Sequence, residues 1–180
     1  MAGNTAIFSI IGTVLLCAWL AGIGFGIFFM VRHFIRVMKN GDSTARTWHI
    51  LTLVSVLFMA ASWVLNFGWY RVFLTWIPLP LGHIVAFMLI NFKVASKASA
   101  HKPLNKLIGM SCLTFLLTYL SFPDGGDVGG AYMFFSLIKN EVVIYISNYV
   151  VLIALILNIV ILALEIKEFS KPKKETQNEV

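Results

Sequence analysis

Five stretches of this chain, 7–31, 48–67, 72–92, 107–122 and 142–164, are nearly unbroken runs of apolar residues. Each is near the length of about 20 residues that a helix needs to cross roughly 30 Å of hydrocarbon. Only short polar connectors separate them, so little sequence is left to build a water-soluble domain. Composition agrees: 59% of the 180 residues are hydrophobic and 12% are charged, against about 45–50% and about 25% in a soluble domain. The expected fold is all-α, an integral membrane helical bundle over residues 1–168 with five transmembrane helices, followed by a disordered cytoplasmic tail over 169–180. Four crossings, with the remaining stretch at the interface, is the alternative. Pro78 and Pro80 fall in the third stretch and each lacks a backbone donor, so that helix should begin after Pro80 or kink there. A shorter apolar patch, 131–138, cannot span and reads as an interfacial helix or a re-entrant piece.

The basic residues set a direction for this bundle, because cytoplasmic connectors collect Lys and Arg. Arg32, Arg36, Lys39 and Arg46 follow the first stretch. Lys93, Lys97, Lys102 and Lys106 follow the third, and Lys167, Lys171, Lys173 and Lys174 follow the fifth. Of the 14 Lys and Arg residues only Arg71 and Lys139 lie elsewhere, in connectors that hold Asp124, Asp127 and Glu141. An odd number of crossings puts all three basic groups in one compartment, with the N-terminus outside and the C-terminus in the cytoplasm of a plasma or inner membrane. Tyr70, Tyr119, Tyr132, Tyr145, Tyr149, Trp69 and Trp76 then map to the outer half, where such rings favour the headgroup level, and Trp48 marks the inner boundary. The formal charge of +6 thus expresses orientation. The lipid bilayer is an expected partner and nucleic acid is not, since the apolar runs could not stand exposed on a nucleic-acid-binding domain.

Chemistry is sparse. Cys17 and Cys112 each sit in an apolar run without a Cys-x-x-Cys pattern or a His at ligand spacing, which disfavours a disulfide framework or a thiol redox centre. The segment before residue 7 carries no Lys or Arg, and the run that follows exceeds a signal-peptide core of about 7–15 residues; it reads as a retained first span. No nucleophile stands beside a base, and neither a phosphate loop nor paired carboxylates within a span can be found by spacing. No enzymatic activity, cofactor or metal is expected.

Several residues still invite a role. Ala18, Gly22 and Gly26 recur at i, i+4 and i+8, a small-residue stripe along which another helix can approach closely. His83 is the ionisable side chain nearest the middle of a span, a costly position unless it faces protein or water. It could contact substrate or pass a proton, or simply tie two helices together through a carbonyl; His33, His49 and His101 map too far away to complete a metal or haem site with it. Asn66, Arg71, Asp124, Asp127, Lys139, Glu141 and Asn148 gather near the outer face beside Trp69 and Tyr132. Polar groups with an aromatic wall can receive a small ligand or anchor a partner, and Arg71 is expected to pair with Asp124 or Asp127. Four glycines and two carboxylates in 123–130 predict a flexible turn. Ser111, Thr114 and Thr118 form a hydroxyl stripe, and Asn148 and Asn158 lie on the last span; such groups bond between helices.

The expected function is that of a non-enzymatic interaction or accessory protein: a membrane subunit, a sensor or a resistance or immunity factor. Its external face would bind another membrane protein or a second copy of the chain through His83, Asn66, Trp69, Arg71, Asp124 and Asp127. The alternative is a small transporter or channel, working as an oligomer, that uses His83 and the polar groups inside the bundle.

Overall fold

The computed structural model describes residues 28–66, 68–76, 78–124 and 130–171. Most of the expected first span lies outside the described residues, and with it Ala18, Gly22 and Gly26; Asp127 does too. The chain divides into two compact units, residues 1–41 and 42–180. In the first, residues 28–40 are helical (α1) and close at Gly41, whose N–H donates to the Val37 carbonyl at 2.7 Å. A Cβ at Gly41 would stand 2.6 Å from that oxygen, so only glycine fits this close approach without a shift.

The second unit is all-helical among the described residues: α2 (Ser43–Leu65), α3 (Trp69–Trp76), α4 (Pro78–Ala95), α5 (Lys102–Leu120) and α6 (Glu141–Phe169), with a 3-10 turn at Ala98–Ala100. Local chemistry sets these bounds. The Asp42 carboxylate accepts from Ala45 N–H at 2.7 Å and caps α2. Asn140 caps α6 by accepting from Val142 and Val143 N–H at 3.0 and 3.2 Å, and Glu141 in the first turn and Lys167 in the last both complement the helix dipole. Pro78 opens α4, where its missing N–H costs nothing. The third apolar stretch is accordingly divided into an eight-residue helix and a separate 18-residue one, with the boundary at Pro78 rather than after Pro80.

Helices α2, α4, α5 and α6 alternate in direction and form a bundle, with α6 packed most extensively on α5. One end holds Asp42, the 3-10 turn and Phe169; the other holds α3, Asp124 and Asn140. Three of the helices, α2, α5 and α6, are long and apolar enough to cross a membrane, and α4 contributes a shorter apolar helix, Leu79–Ala95. Between α5 and α6, the patch 131–138 is not helical. It folds as a turn flanked by two isolated antiparallel bridges, Asp124 with Tyr132 and Met133 with Ile138.

Burial on α2 runs opposite to that on a helix of a soluble bundle. The buried face of α2 is Ala45, His49, Thr52, Ser55, Met59 and Ser62, mostly small or polar side chains at a spacing of three and four. Outward face Leu57, Leu113 and Ile153, each 58% exposed. Helices apolar on every side belong in a membrane or a large core, and here hydrocarbon is the medium that suits the outer surface. Close packing comes from aromatic rings, with Phe87 and Phe115 fully buried and stacked at 3.8 Å between α4 and α5.

Candidate functional site

Among the described residues, one polar network lies at the α3 end of this bundle and another in its interior. At the α3 end, Arg71 and Asp124 are both fully buried and pair at 3.7 Å between Nε and Oδ2. The same Oδ2 accepts from the backbone N–H of Gly68 and of Arg71, each at 3.0 Å. Asp124 therefore caps α3 from more than fifty residues away and neutralises the cation in its first turn. Arg71 turns its other nitrogens to the ends of two neighbouring helices: Nη1 donates to Ser62 O at 2.5 Å and Nη2 to Phe122 O at 2.9 Å. Its guanidinium carbon lies 5.4 Å from the Trp63 ring and 5.8 Å from that of Phe122, within cation–π range. Burial pushes the guanidinium down to about 10, with Asp124 opposing, so Arg71 stays charged at neutral pH.

Asn66 continues this network. Its amide nitrogen donates to Ser62 Oγ at 3.0 Å, and its Oδ1 accepts from the backbone N–H of Ser136 and from Ser136 Oγ at 3.2 Å. Ser136 Oγ also reaches Leu65 O at 2.6 Å. These contacts hold an unusual turn in which Phe134, Phe135 and Ser136 have φ of 52°, 59° and 62°. Left-handed backbone costs an L-residue roughly 1–2 kcal/mol, and here three non-glycine residues adopt it in succession. From this turn Leu137 is 75% exposed and Phe134 40%, and on α3 Trp69 is 50% exposed. Of the expected outer residues, Asn66, Arg71 and Asp124 are thus brought together but face inward, while Trp69 faces out. Lys139, Glu141 and Asn148 are exposed.

In the interior, His83 is held between α5 and α6. Asn158 Nδ2 donates to the Ser111 carbonyl at 2.7 Å and to Thr114 Oγ1 at 2.8 Å. A carbonyl can only accept, so the amide nitrogen of Asn158 faces α5 and its oxygen faces His83 Nε2, 2.8 Å away. In the neutral ring Nε2 therefore carries the proton, and Nδ1 accepts from the Tyr119 hydroxyl at 3.0 Å. His83 also stacks against the Tyr119 ring, with centroids 5.8 Å apart. The Ser111, Thr114 and Thr118 stripe faces this interior and is buried.

Two buried groups here were not singled out from sequence. Asn91, fully buried on α4, donates to Phe87 O at 2.8 Å and to Ser111 Oγ at 3.1 Å. Glu165, fully buried on α6, has neither carboxylate oxygen in a hydrogen bond. Glu165 directly follows the last apolar run and precedes Lys167 and Glu168, so it reads as part of a polar boundary. Its position seven residues after Asn158, hence on the same helix face, is the signal that points inward. Among the described residues no group of three His, Cys, Asp or Glu is placed to hold a metal ion. No family model, curated protein or solved structure matches this chain.

Proposed function

We propose that the chain is a five-span protein of the cell membrane, N-terminus outside and C-terminus cytoplasmic, acting as a non-enzymatic accessory protein. Its outer end would dock another membrane-inserted protein. Sidedness is supported by the gathering of Lys93, Lys97, Lys102, Lys167 and Lys171 about one end of the bundle, where Lys97 Nζ donates to Phe169 O at 3.2 Å. Asp124 and Glu141 belong to the opposite end, as the rule for cytoplasmic cations requires.

The observation that carries the docking proposal is the Phe134–Ser136 turn. Strained backbone persists only where its surroundings over-determine it, and it concentrates at functional positions. Here a buried ion pair and the Asn66 amide form a rigid base, while Leu137, Phe134 and Trp69 project from it. Aromatic and large apolar anchors on a rigid base are what a partner's hot spot engages. A photo-crosslinking residue at position 137, tested in native membranes, should give one discrete protein adduct, which Trp69→Ala and Phe134→Ala diminish. Adducts with lipid alone would defeat the proposal. Cysteines introduced at residue 140 and in the tail should label from opposite faces of the membrane; labelling from one face would remove the five-span layout.

A second reading is a small transporter or channel. It is favoured by the His83–Asn158 link, which joins α4, α5 and α6 through polar groups inside the bundle. Protein reconstituted alone into vesicles, with and without His83→Ala, distinguishes it: solute movement lost in the variant would select this reading over the first.

A further inference from the structure

The three unpartnered acceptors in the interior all lie around Ser111. Asn91 uses its amide nitrogen on Phe87 O and Ser111 Oγ; because Phe87 O can only accept, the amide cannot be reversed, and Asn91 Oδ1 is left without a donor. Glu165 Oε1 and Oε2 are without one as well. The Ser111 hydroxyl, whose oxygen accepts from Asn91 and whose proton is free to turn elsewhere, is the donor that faces Glu165, although neither carboxylate oxygen closes a hydrogen bond of ordinary geometry. Three acceptor oxygens thus share one hydroxyl proton, that of Ser111.

Charge is unbalanced in the same way. Among the described residues Glu165 forms no ion pair; the carboxylates that do are Asp124 and Glu168. The neighbouring ionisable group on α5 is the Cys112 thiol, and on α2 it is His49, buried against Phe92 with Nδ1 2.7 Å from Ala45 O. Lys93 on α4 and Lys97 just after it direct their ammonium groups at the Phe169 ring, 5.4 and 4.0 Å from its centroid. At the end of α6, Lys171 pairs with Glu168 at 2.5 Å and His101 lies 3.7 Å from it. None of these cations is spent on Glu165. An ionised carboxylate held away from water without a partner is strongly disfavoured, and an ionisable side chain at such a place in a membrane bundle marks a functional position.

The geometry points to Glu165 as a proton-binding site. One proton removes the charge and also turns one oxygen into a donor, in a cluster whose other donor to spare is the Ser111 hydroxyl. A calcium ion would need about six to eight oxygens, and the cluster has one carboxyl group. Glu165 lies four residues before the end of α6, about 6 Å along the axis, so the proton has a short path from the end of the bundle that carries Lys97 and His101. Asn91 on α4, Ser111 on α5 and Glu165 on α6 meet here, so gain or loss of the proton acts on the packing of three helices. This inference is independent of the docking proposal and goes beyond it, since it concerns an equilibrium of the protein alone.

Infrared difference spectroscopy of the full chain in detergent, titrated from about pH 5 to about pH 9, above the free Glu value of about 4.3, reads the carboxyl group directly. The carbonyl stretch of a protonated carboxylic acid should be present in the wild type near neutral pH, absent in Glu165→Gln and lost as the pH rises. Ser111→Ala, which keeps the backbone carbonyl used by Asn158, should move the midpoint; this second variant tests the site even if Glu165→Gln fails to fold. Two results would overturn the inference. One is a Glu165 carboxylate that stays ionised throughout the range. The other is a band that sodium or potassium abolishes at constant pH while choline does not, which would assign the site to an alkali cation.

Discussion

Replacing Asp124 by Asn tests the base of the Phe134–Ser136 turn most directly, because it removes the charge while leaving an oxygen for the N–H groups of Gly68 and Arg71. At 3.7 Å and an effective dielectric constant of about 20, the attraction between the two unit charges is about 4–5 kcal/mol. Removing one member of a buried pair costs about 3–5 kcal/mol, because the other charge is left uncompensated. Asp124→Asn should therefore destabilise the bundle by about 3 kcal/mol, and Asp124→Ala by about 2 kcal/mol more, since two backbone donors then lose their acceptor. Unfolding by SDS in mixed micelles, followed by tryptophan fluorescence, suits the measurement, as the Trp63 ring lies 5.4 Å from the Arg71 guanidinium. Arg71→Met combined with Asp124→Asn completes a double-mutant cycle, with an expected coupling of about 3 kcal/mol. A loss under about 1 kcal/mol for Asp124→Asn, the range of exposed pairs, or additive single effects, would refute this account.

Three further outcomes follow from other parts of the molecule. Asn66→Ala removes the acceptor of the Ser136 N–H and should cost about 1–3 kcal/mol, with faster hydrogen exchange at Ser136; unchanged exchange there would mean that the left-handed turn is held by other contacts. Asn158→Leu leaves His83 Nε2 without its acceptor and should cost a similar amount, and ring-nitrogen NMR should show Nε2–H as the dominant tautomer in the wild type and a mixture in the variant. Asp42→Ala should cost about 1 kcal/mol as a lost helix cap, measured by thermal unfolding. The hydrogen bond from Ala45, followed by that from Ser99, holds the Asp42 carboxyl below its usual value. Its contribution is accordingly complete above the unfolded value of about 3.9 and disappears as the pH falls through the lower folded value; an Asp42→Ala difference that persists at the acid end would contradict the capping role.

Much of the bundle was legible from local chemistry. The second, fourth and fifth apolar stretches lie within α2, α5 and α6 to within a few residues, because long apolar runs flanked by polar connectors leave a helix as the form that satisfies its own backbone. Pro78 and Pro80 signalled an interruption, and the structure divides the helix there. The Arg71–Asp124 pair was one of two alternatives set by charge alone. Of the two forms open to the patch 131–138, an interfacial helix or a re-entrant piece, the helix is not formed: Asn66, Leu65 and Leu120, all distant in sequence, take up its hydrogen bonds and hold it in a left-handed turn.

Sequence by itself determined that long apolar helices exist, roughly where they begin and end, and which connectors carry the cations, since each of these depends on neighbours within a few residues. Apart from the hydroxyl stripe of Ser111, Thr114 and Thr118, which the spacing marked, the face each helix turns inward was decided by the tertiary structure. On a helix that is apolar all round, hydrophobicity does not distinguish core from lipid, and the inward face is chosen by small side chains and hydrogen-bonding groups that find partners on other helices. That choice buried Glu165 while its neighbours at the same boundary stayed in reach of solvent, and it drew His83, Asn158 and Ser111 from three helices into one interior.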